Sequence, residues 1–127
     1  MNSVHHLIDI GANLTHPELY KKIDVIVDNI KSANIEKVII TSSNTKDTKE
    51  ALGIINKYPD LFYTTVGFHP HNAKDYSSNN VAEIEDLLNN DKVLALGECG
   101  LDFYRKYSSK EEQFFCFEQH LEIAKNI

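Results

Sequence analysis

The residues with the greatest capacity for chemistry follow short apolar runs of the sequence. Three motifs carry them: DIGANLTH with Asn13, GFHPH with His69 and His71, and GECGLD with Glu98 and Asp102. Imidazoles bind metals or phosphate and transfer protons near neutral pH, and carboxylates bind divalent cations. These residue types predict a polar site, provided that the fold brings the three motifs together.

Apolar runs of strand length alternate with longer stretches of helical spacing. In the first such stretch, Leu19, Ile23 and Ile26 recur at intervals typical of a helix, and Ser109 with Glu112 forms a capping-box pattern before the last one. Strands are predicted at 6–11, 36–42, 61–68 and 92–97, and helices at 17–33, 45–58, 79–90 and 109–125. This alternation predicts an α/β fold, a (β/α)4 unit whose parallel strands are joined by helical crossovers.

Two architectures fit four such units: an open doubly wound sheet, or half of a (β/α)8 barrel, which needs about 250 residues when complete. The sequence contains no linker-like tract, so residues 1–127 are expected to form one unit. In both architectures ligands bind at the carboxyl ends of the strands. Asn13, His69 and Glu98 are therefore expected at the same edge of the sheet.

Each candidate residue also has a purely structural interpretation. Glu98 would then pair with Arg105, the only arginine of the sequence. His69 and His71 would be solvated imidazoles of a turn. Asn13 would cap the helix that begins at Pro17.

The last predicted helix contains the run FFCF, Phe114 to Phe117, and the histidine His120. The aromatic run is expected to lie in the core of the protein. His120 is expected at the surface.

The composition argues against a membrane protein and against a basic surface for anionic ligands. Of the 127 residues, 42% are hydrophobic and 25% charged, and the formal net charge is −6. No apolar run approaches the roughly 20 residues of a membrane span, so no membrane partner is expected. The lysines are spread along the chain, so an anionic substrate is expected to bind through a cation rather than through a basic surface.

The two cysteines show no metal-binding or CxxC spacing, and the N-terminus leads directly into the first predicted strand without a signal peptide. A cytoplasmic location is expected, or a nuclear one in a eukaryotic cell.

The motifs DIGANLTH, GFHPH and GECGLDFYR resemble, in order and spacing, the first three signatures of the TatD family of metal-dependent deoxyribonucleases. The similarity continues into the helix EEQFFCFEQHLEIAKNI. It implies a TIM barrel of the metal-dependent hydrolase kind with divalent cations at its carboxyl-terminal mouth. Residues 1–127 would be the N-terminal half of that barrel.

The resemblance also implies roles for individual residues. Glu98 matches the carboxylate that binds and can bridge the metals, and His69 matches a histidine near the scissile phosphate, so both are expected to be catalytic. His71 is expected to bind substrate. So is Asn13, which with Thr15 stands where many relatives carry a His-x-His metal pair.

The function implied is metal-dependent hydrolysis of phosphodiester bonds in DNA. Mg²⁺ is the first expectation for oxygen ligands and a phosphate substrate, and imidazole ligands would favour Mn²⁺ or Zn²⁺. One alternative is an amidohydrolase-like enzyme acting on C–N or ester bonds. The other is a non-catalytic half-barrel fragment, because the family's later metal-binding histidines and aspartate have no counterpart before Ile127; open barrel edges would let it self-associate.

Overall fold

Four strands alternate with helices along the chain, as the apolar pattern predicts. The computed structural model describes residues 5–127. The strands are β1 Leu7–Ala12, β2 Ile35–Ile40, β3 Phe62–Val66 and β4 Val93–Leu96. The helices are α1 Pro17–Tyr20, α2 Ile23–Ser32, α3 Thr45–Lys57, α4 Asn80–Leu88 and α5 Lys110–Ala124, and a 3-10 helix spans Pro70–Asp75.

The strands form one parallel sheet in the order β1-β2-β3-β4. Ile40 pairs with Thr64, and Thr64 pairs with Val93, so the strands run in register across the centre of the sheet. The carboxyl ends of all four strands therefore lie at one edge. The predicted α/β fold with sequential parallel strands is confirmed.

The helix predicted at 17–33 is two helices, so that prediction was wrong in detail. The backbone at Lys22 has φ −111° and ψ 18°, outside the helical region, and α2 begins at the next residue. The break allows Ile23 and Ile26 to pack against the core, whereas Leu19, which shares their spacing, is exposed.

The core consists of two clusters, one on each half of the sheet. The first joins β2 and β3 to α2 and α3 through residues such as Val27, Ile40 and Phe62. The second joins the end of β3 to α4 and α5 and includes Ile84 and Ile123. The first cluster includes Val38 and Ile40 of β2, a strand whose continuous apolar run is typical of burial.

Helix α5 departs from its predicted burial. Phe114 and Phe115 are exposed and only Cys116 of the aromatic run is fully buried, so the expected core position of the run was wrong for these two residues. The buried face instead carries Gln113, Cys116, His120 and Ile123, which follow the helical period. The expected surface position of His120 was also wrong, because its side chain is 1% exposed.

Candidate functional site

Backbone hydrogen bonds tie the segments that follow the strands into one edge. The amide of His69 donates to the carbonyl of Ser43 at 2.9 Å, and the amide of Glu98 donates to the carbonyl of Ser42 at 3.0 Å. The residues after β3 and after β4 thus both bind the residues after β2. This geometry places Glu98 and His69 at the same edge, as the sequence predicted.

Glu98 lies at this edge, where Gly67 lets the two backbones approach closely. A Cβ atom on Gly67 would lie 2.7 Å from the carbonyl oxygen of Glu98 and 2.9 Å from the Cα of Gly97, so a larger residue has no room there. Gly97 in turn donates its amide to Val66 at 2.7 Å. Gly67 therefore permits the close approach, and the hydrogen bond between Gly97 and Val66 holds the residue before Glu98 against the end of β3.

His71 and Asp102 form the shortest side-chain contact of the site. His71 Nε2 lies 2.6 Å from Asp102 Oδ2. The other carboxylate oxygen of Asp102 accepts the amides of Tyr104 at 3.0 Å and Arg105 at 3.2 Å. The hydrogen bond with His71, followed by these amides, lowers the pKa of Asp102, so Asp102 is ionised at neutral pH and orients the His71 ring.

His69 lies directly against His71. The two rings are 4.3 Å apart between centroids, and His69 Nδ1 accepts the backbone amide of His71 at 3.1 Å. Burial, followed by the nearby His71, lowers the pKa of His69, and the charges of Glu98 and Asp102 oppose this shift. The ring is therefore neutral at pH 7 with its proton on Nε2, which leaves that N–H as a donor toward a ligand.

Two buried polar residues position this cluster from α5 and the loop before it. Gln113 Oε1 accepts the amide of Asp102 at 2.8 Å, and its Nε2 donates to the carbonyls of Asp102 and Ser108, both at 3.0 Å. Ser108 Oγ donates to the carbonyl of His71 at 3.1 Å. Sequence reasoning missed both residues, and the only available signal was a polar residue on the buried face of the last helix.

His120 was also missed as a residue that supports the site. Its Nε2 accepts the amide of Phe68 at 3.0 Å, and its Nδ1 donates to the carbonyl of Cys116 at 2.7 Å. Burial lowers the pKa of His120, against the opposing effect of the Cys116 carbonyl. The neutral ring therefore links α5 to the residue directly before His69.

Asn13 directly follows β1, at the same edge of the sheet as His69 and Glu98, as the sequence predicted. Its side chain is exposed, and no side-chain hydrogen bond within residues 5–127 joins it to His69, His71 or Glu98. It does not cap α1 either, because His16 is the N-cap and accepts the amide of Glu18 on Nδ1 at 3.3 Å.

The ion pair between Glu98 and Arg105 is not formed. None of the salt bridges in the described part of the chain includes either residue, and the Glu98 side chain is exposed. The backbone of Arg105 binds Asp102 instead. The Glu98 carboxylate is thus open to a ligand at the strand edge.

The described residues do not complete a metal site. Residues 5–127 contain no group of three His, Cys, Asp or Glu side chains placed to hold one ion. His71 Nε2 is engaged by Asp102, and His69 Nδ1 is engaged by a backbone amide. Of the two acids Glu98 and Asp102, only Asp102 is engaged by a hydrogen bond or ion pair of its carboxylate within residues 5–127.

The fold and the site define the class of protein as a parallel α/β protein with an ionisable cluster at the carboxyl ends of its strands. A sequence model of the family described as TatD related DNase matches residues 8–127. The chain belongs to this family.

Individual relatives agree with this assignment. The chain is 37% identical over 121 residues to the 3'-5' ssDNA/RNA exonuclease TatD of Edwardsiella piscicida, an alignment that covers 95% of this chain and 46% of that protein. A TatD family hydrolase from Entamoeba histolytica superposes with a TM-score of 0.87 at 31% identity, over 98% of this chain and 48% of that chain. The chain thus spans about half the length of the relatives it matches.

A TatD homologue from Escherichia coli shares the fold, with a TM-score of 0.82 at 22% identity over 47% of its chain. Within residues 5–127, no helix has the length and apolar character that crossing a membrane requires.

Proposed function

We propose that residues 1–127 form the N-terminal half of a divalent-metal-dependent hydrolase that cleaves phosphodiester bonds in DNA. The observation that carries this proposal is the unpaired Glu98 carboxylate at the strand edge that also presents the neutral His69. Family membership supports the reaction class, as does the exonuclease activity in the name of the Edwardsiella piscicida relative.

His69 is proposed as a catalytic residue that contacts the substrate. Its free Nε2–H is suited to donate to a phosphoryl oxygen, where a fixed donor stabilises developing negative charge. Because the ring is neutral, it does this without adding a charge that would repel a nearby cation.

His71 and Asn13 are proposed to bind substrate at the same edge of the sheet as His69. Asp102 fixes the orientation of the His71 ring. The face and the edge of the ring are therefore already oriented for contact with a nucleotide before the substrate binds. Asn13 offers an exposed amide at the end of β1, suited to hydrogen bonds with phosphate or base edges.

Glu98 is proposed as the residue that binds the divalent cation. Mg²⁺ is favoured by a carboxylate and phosphate oxygens, and Mn²⁺ or Zn²⁺ would be favoured if imidazoles join the site. The net charge of the protein is −6, so it repels an anionic substrate. A bound cation would neutralise part of the substrate's negative charge. The remaining ligands of the cation would come from the substrate or from other protein residues.

We further propose a cytoplasmic location and self-association of the chain when alone. Both cysteines, Cys99 and Cys116, are unpaired, as expected in a reducing compartment. The outer strands expose Ile10 and Leu94, and unpaired strand edges with apolar side chains promote association.

A chimera tests the proposed reaction. Residues 1–127 would replace the matching N-terminal part of the Edwardsiella piscicida relative, and cleavage of labelled single-stranded DNA would be measured with Mg²⁺, with Mn²⁺ and with EDTA. We expect metal-dependent cleavage that Glu98→Gln abolishes, because Gln keeps the volume and removes the charge. Glu36→Gln, at the opposite end of β2, is the matched control. A folded chimera that hydrolyses amides or lactones instead of DNA would favour the alternative enzyme.

A further inference from the structure

A short loop beside the site has an unusual composition. Residues 103–107, which we call the aromatic-basic loop, read FYRKY and contain no acidic residue in a chain of net charge −6. Tyr104 is 91% exposed and Tyr107 is 59% exposed, and Arg105 and Lys106 are exposed as well. The loop thus combines positive charge with exposed aromatic rings, although the chain as a whole carries a negative net charge.

The loop is held in a fixed conformation. Asp102 accepts the amides of Tyr104 and Arg105, and the buried Gln113 binds the backbone of Asp102 on both sides. The exposed side chains therefore project from a turn that α5 anchors. Exposed aromatic residues on an anchored turn lose little conformational freedom when a ligand binds.

The loop is continuous with the candidate site. The ring of Tyr107 packs 4.8 Å from the ring of His71, which in turn lies 4.3 Å from His69. A nucleic acid whose phosphate contacts His69 would therefore extend its neighbouring nucleotide toward the loop.

A concave surface adjoins the loop on its α5 side. A cavity of about 160 Å³ is lined there by Phe103, Lys106 and Lys110, among other residues. Lys110 Nζ lies 5.2 Å from the centre of the Phe103 ring. The ammonium groups of Lys106 and Lys110 are suited to bind phosphates, and the Phe103 ring beside them is suited to contact a base of the same strand.

We propose that the aromatic-basic loop binds single-stranded nucleic acid next to the cleaved bond, with a base stacked on Tyr104 and phosphates bound by Arg105 and Lys106. This inference rests on the proposed nuclease function and adds the residues that select a single strand. Base faces are open to stacking in a single strand and are covered in a duplex, and basic side chains neutralise the backbone of either form. The loop would thus discriminate by strandedness rather than by sequence.

Fluorescence anisotropy of residues 1–127 with a labelled oligothymidylate in EDTA tests the loop. Tyr104→Ala is expected to weaken binding by about 5- to 100-fold, the range of one lost base stack, and Tyr104→Phe is expected to retain it. Tyr20→Ala, an exposed tyrosine at the β1 end of the sheet, is the matched control and should bind like the unaltered chain. Arg105→Ala should reduce the slope of log affinity against log salt concentration by about one.

A duplex of the same length provides the second arm. It should bind more weakly than the single strand, and Tyr104→Ala should leave its affinity unchanged. The inference is overturned if the unaltered chain does not bind the oligonucleotide, if Tyr104→Ala binds it within twofold of the unaltered chain, or if the same loss appears with the duplex. Because EDTA removes divalent cations, this assay reads binding without the cation proposed at Glu98, and the Tyr104 and Arg105 variants isolate the contribution of the loop. The chimera with Glu98→Gln reads the proposed reaction separately.

Discussion

Apolar side chains of the two inner strands are buried or half-buried, whereas most of those on the two outer strands are exposed. Ile40 of β2 and Phe62 of β3 are fully buried, whereas Ile10 of β1 is 75% exposed and Leu94 of β4 is 51% exposed. Apolar content therefore does not decide burial here. The inner strands have a paired strand on both sides and pack against α2 and α3, whereas each outer strand has a paired strand on one side only.

The candidate site spans this boundary. His69 follows the buried strand β3, whereas Glu98 follows the outer strand β4, which is four residues long. Glu98 keeps its place because its backbone is bound to Ser42 and packs against Gly67. The inner strands therefore position both halves of the site.

The largest expected effect is the loss of a buried ring from an inner strand. Phe62→Ala should lower the free energy of unfolding by about 3–5 kcal/mol, because it removes a large apolar side chain and leaves a cavity. Leu94→Ala on the outer strand should cost less than about 1 kcal/mol, since its side chain is already half exposed. Urea unfolding measures both, and equal costs would contradict the division into inner and outer strands.

The link between α5 and the inner strand β3 should have the next largest effect. His120→Leu leaves the buried amide of Phe68 without an acceptor, which costs about 1–3 kcal/mol. His120→Gln keeps an acceptor and a donor at similar positions and should recover a substantial part of this loss. If the two variants unfold at the same urea concentration, the hydrogen bonds of His120 do not hold the end of β3.

The stability of the inner region should also depend on pH with a defined sign. The pKa values of His69 and His120 are lowered in the folded chain, so the unfolded chain binds protons first as pH falls. The stability that these two neutral histidines contribute is therefore fully present above the ordinary histidine pKa of about 6.5. This contribution is lost as the pH falls below that value. Urea unfolding at pH 7 and pH 5 should show this decrease, and His120→Gln should show a smaller one; a chain more stable at pH 5 would contradict these assignments.

The smallest effect on stability is expected at the outer edge. Ile10→Lys should change the free energy of unfolding by about 0.5 kcal/mol or less and should reduce self-association, because a charge on an edge strand opposes pairing with another chain. Val25→Lys on the exposed side of α2 is the matched control and should leave association unchanged. Sedimentation velocity distinguishes the two, and equal association in both variants would show that the β1 edge is not the contact.

The sequence predicted the elements that depend on local pattern. The strands and the capping box of Ser109 and Glu112 were confirmed, because each is encoded within a few consecutive residues. The parallel sheet was confirmed as well, because strands that alternate with helices pair in parallel. The common edge of His69 and Glu98 followed from the same alternation.

The supporting contacts of the site were not predictable in this way. His71 and Asp102 are 31 positions apart, and Phe68 and His120 are 52 apart. Spacing along the chain carries no information about such pairs. The burial of Gln113 and His120 on α5 was not predictable from residue type, because these polar side chains bind backbone groups outside the helix, in the preceding loop and at the end of β3.

A manganese titration of the ¹⁵N-labelled chain tests most directly whether Glu98 holds a divalent cation beside His69. Mn²⁺ broadens the amide signals of nearby residues even when it binds weakly, so few ligands suffice for detection. The amides of Glu98, Gly97 and His69 should broaden first in the unaltered chain and in Glu36→Gln, and Glu98→Gln should abolish this effect. Broadening centred elsewhere, or unchanged in Glu98→Gln, would contradict the assignment of Glu98 as the metal-binding residue.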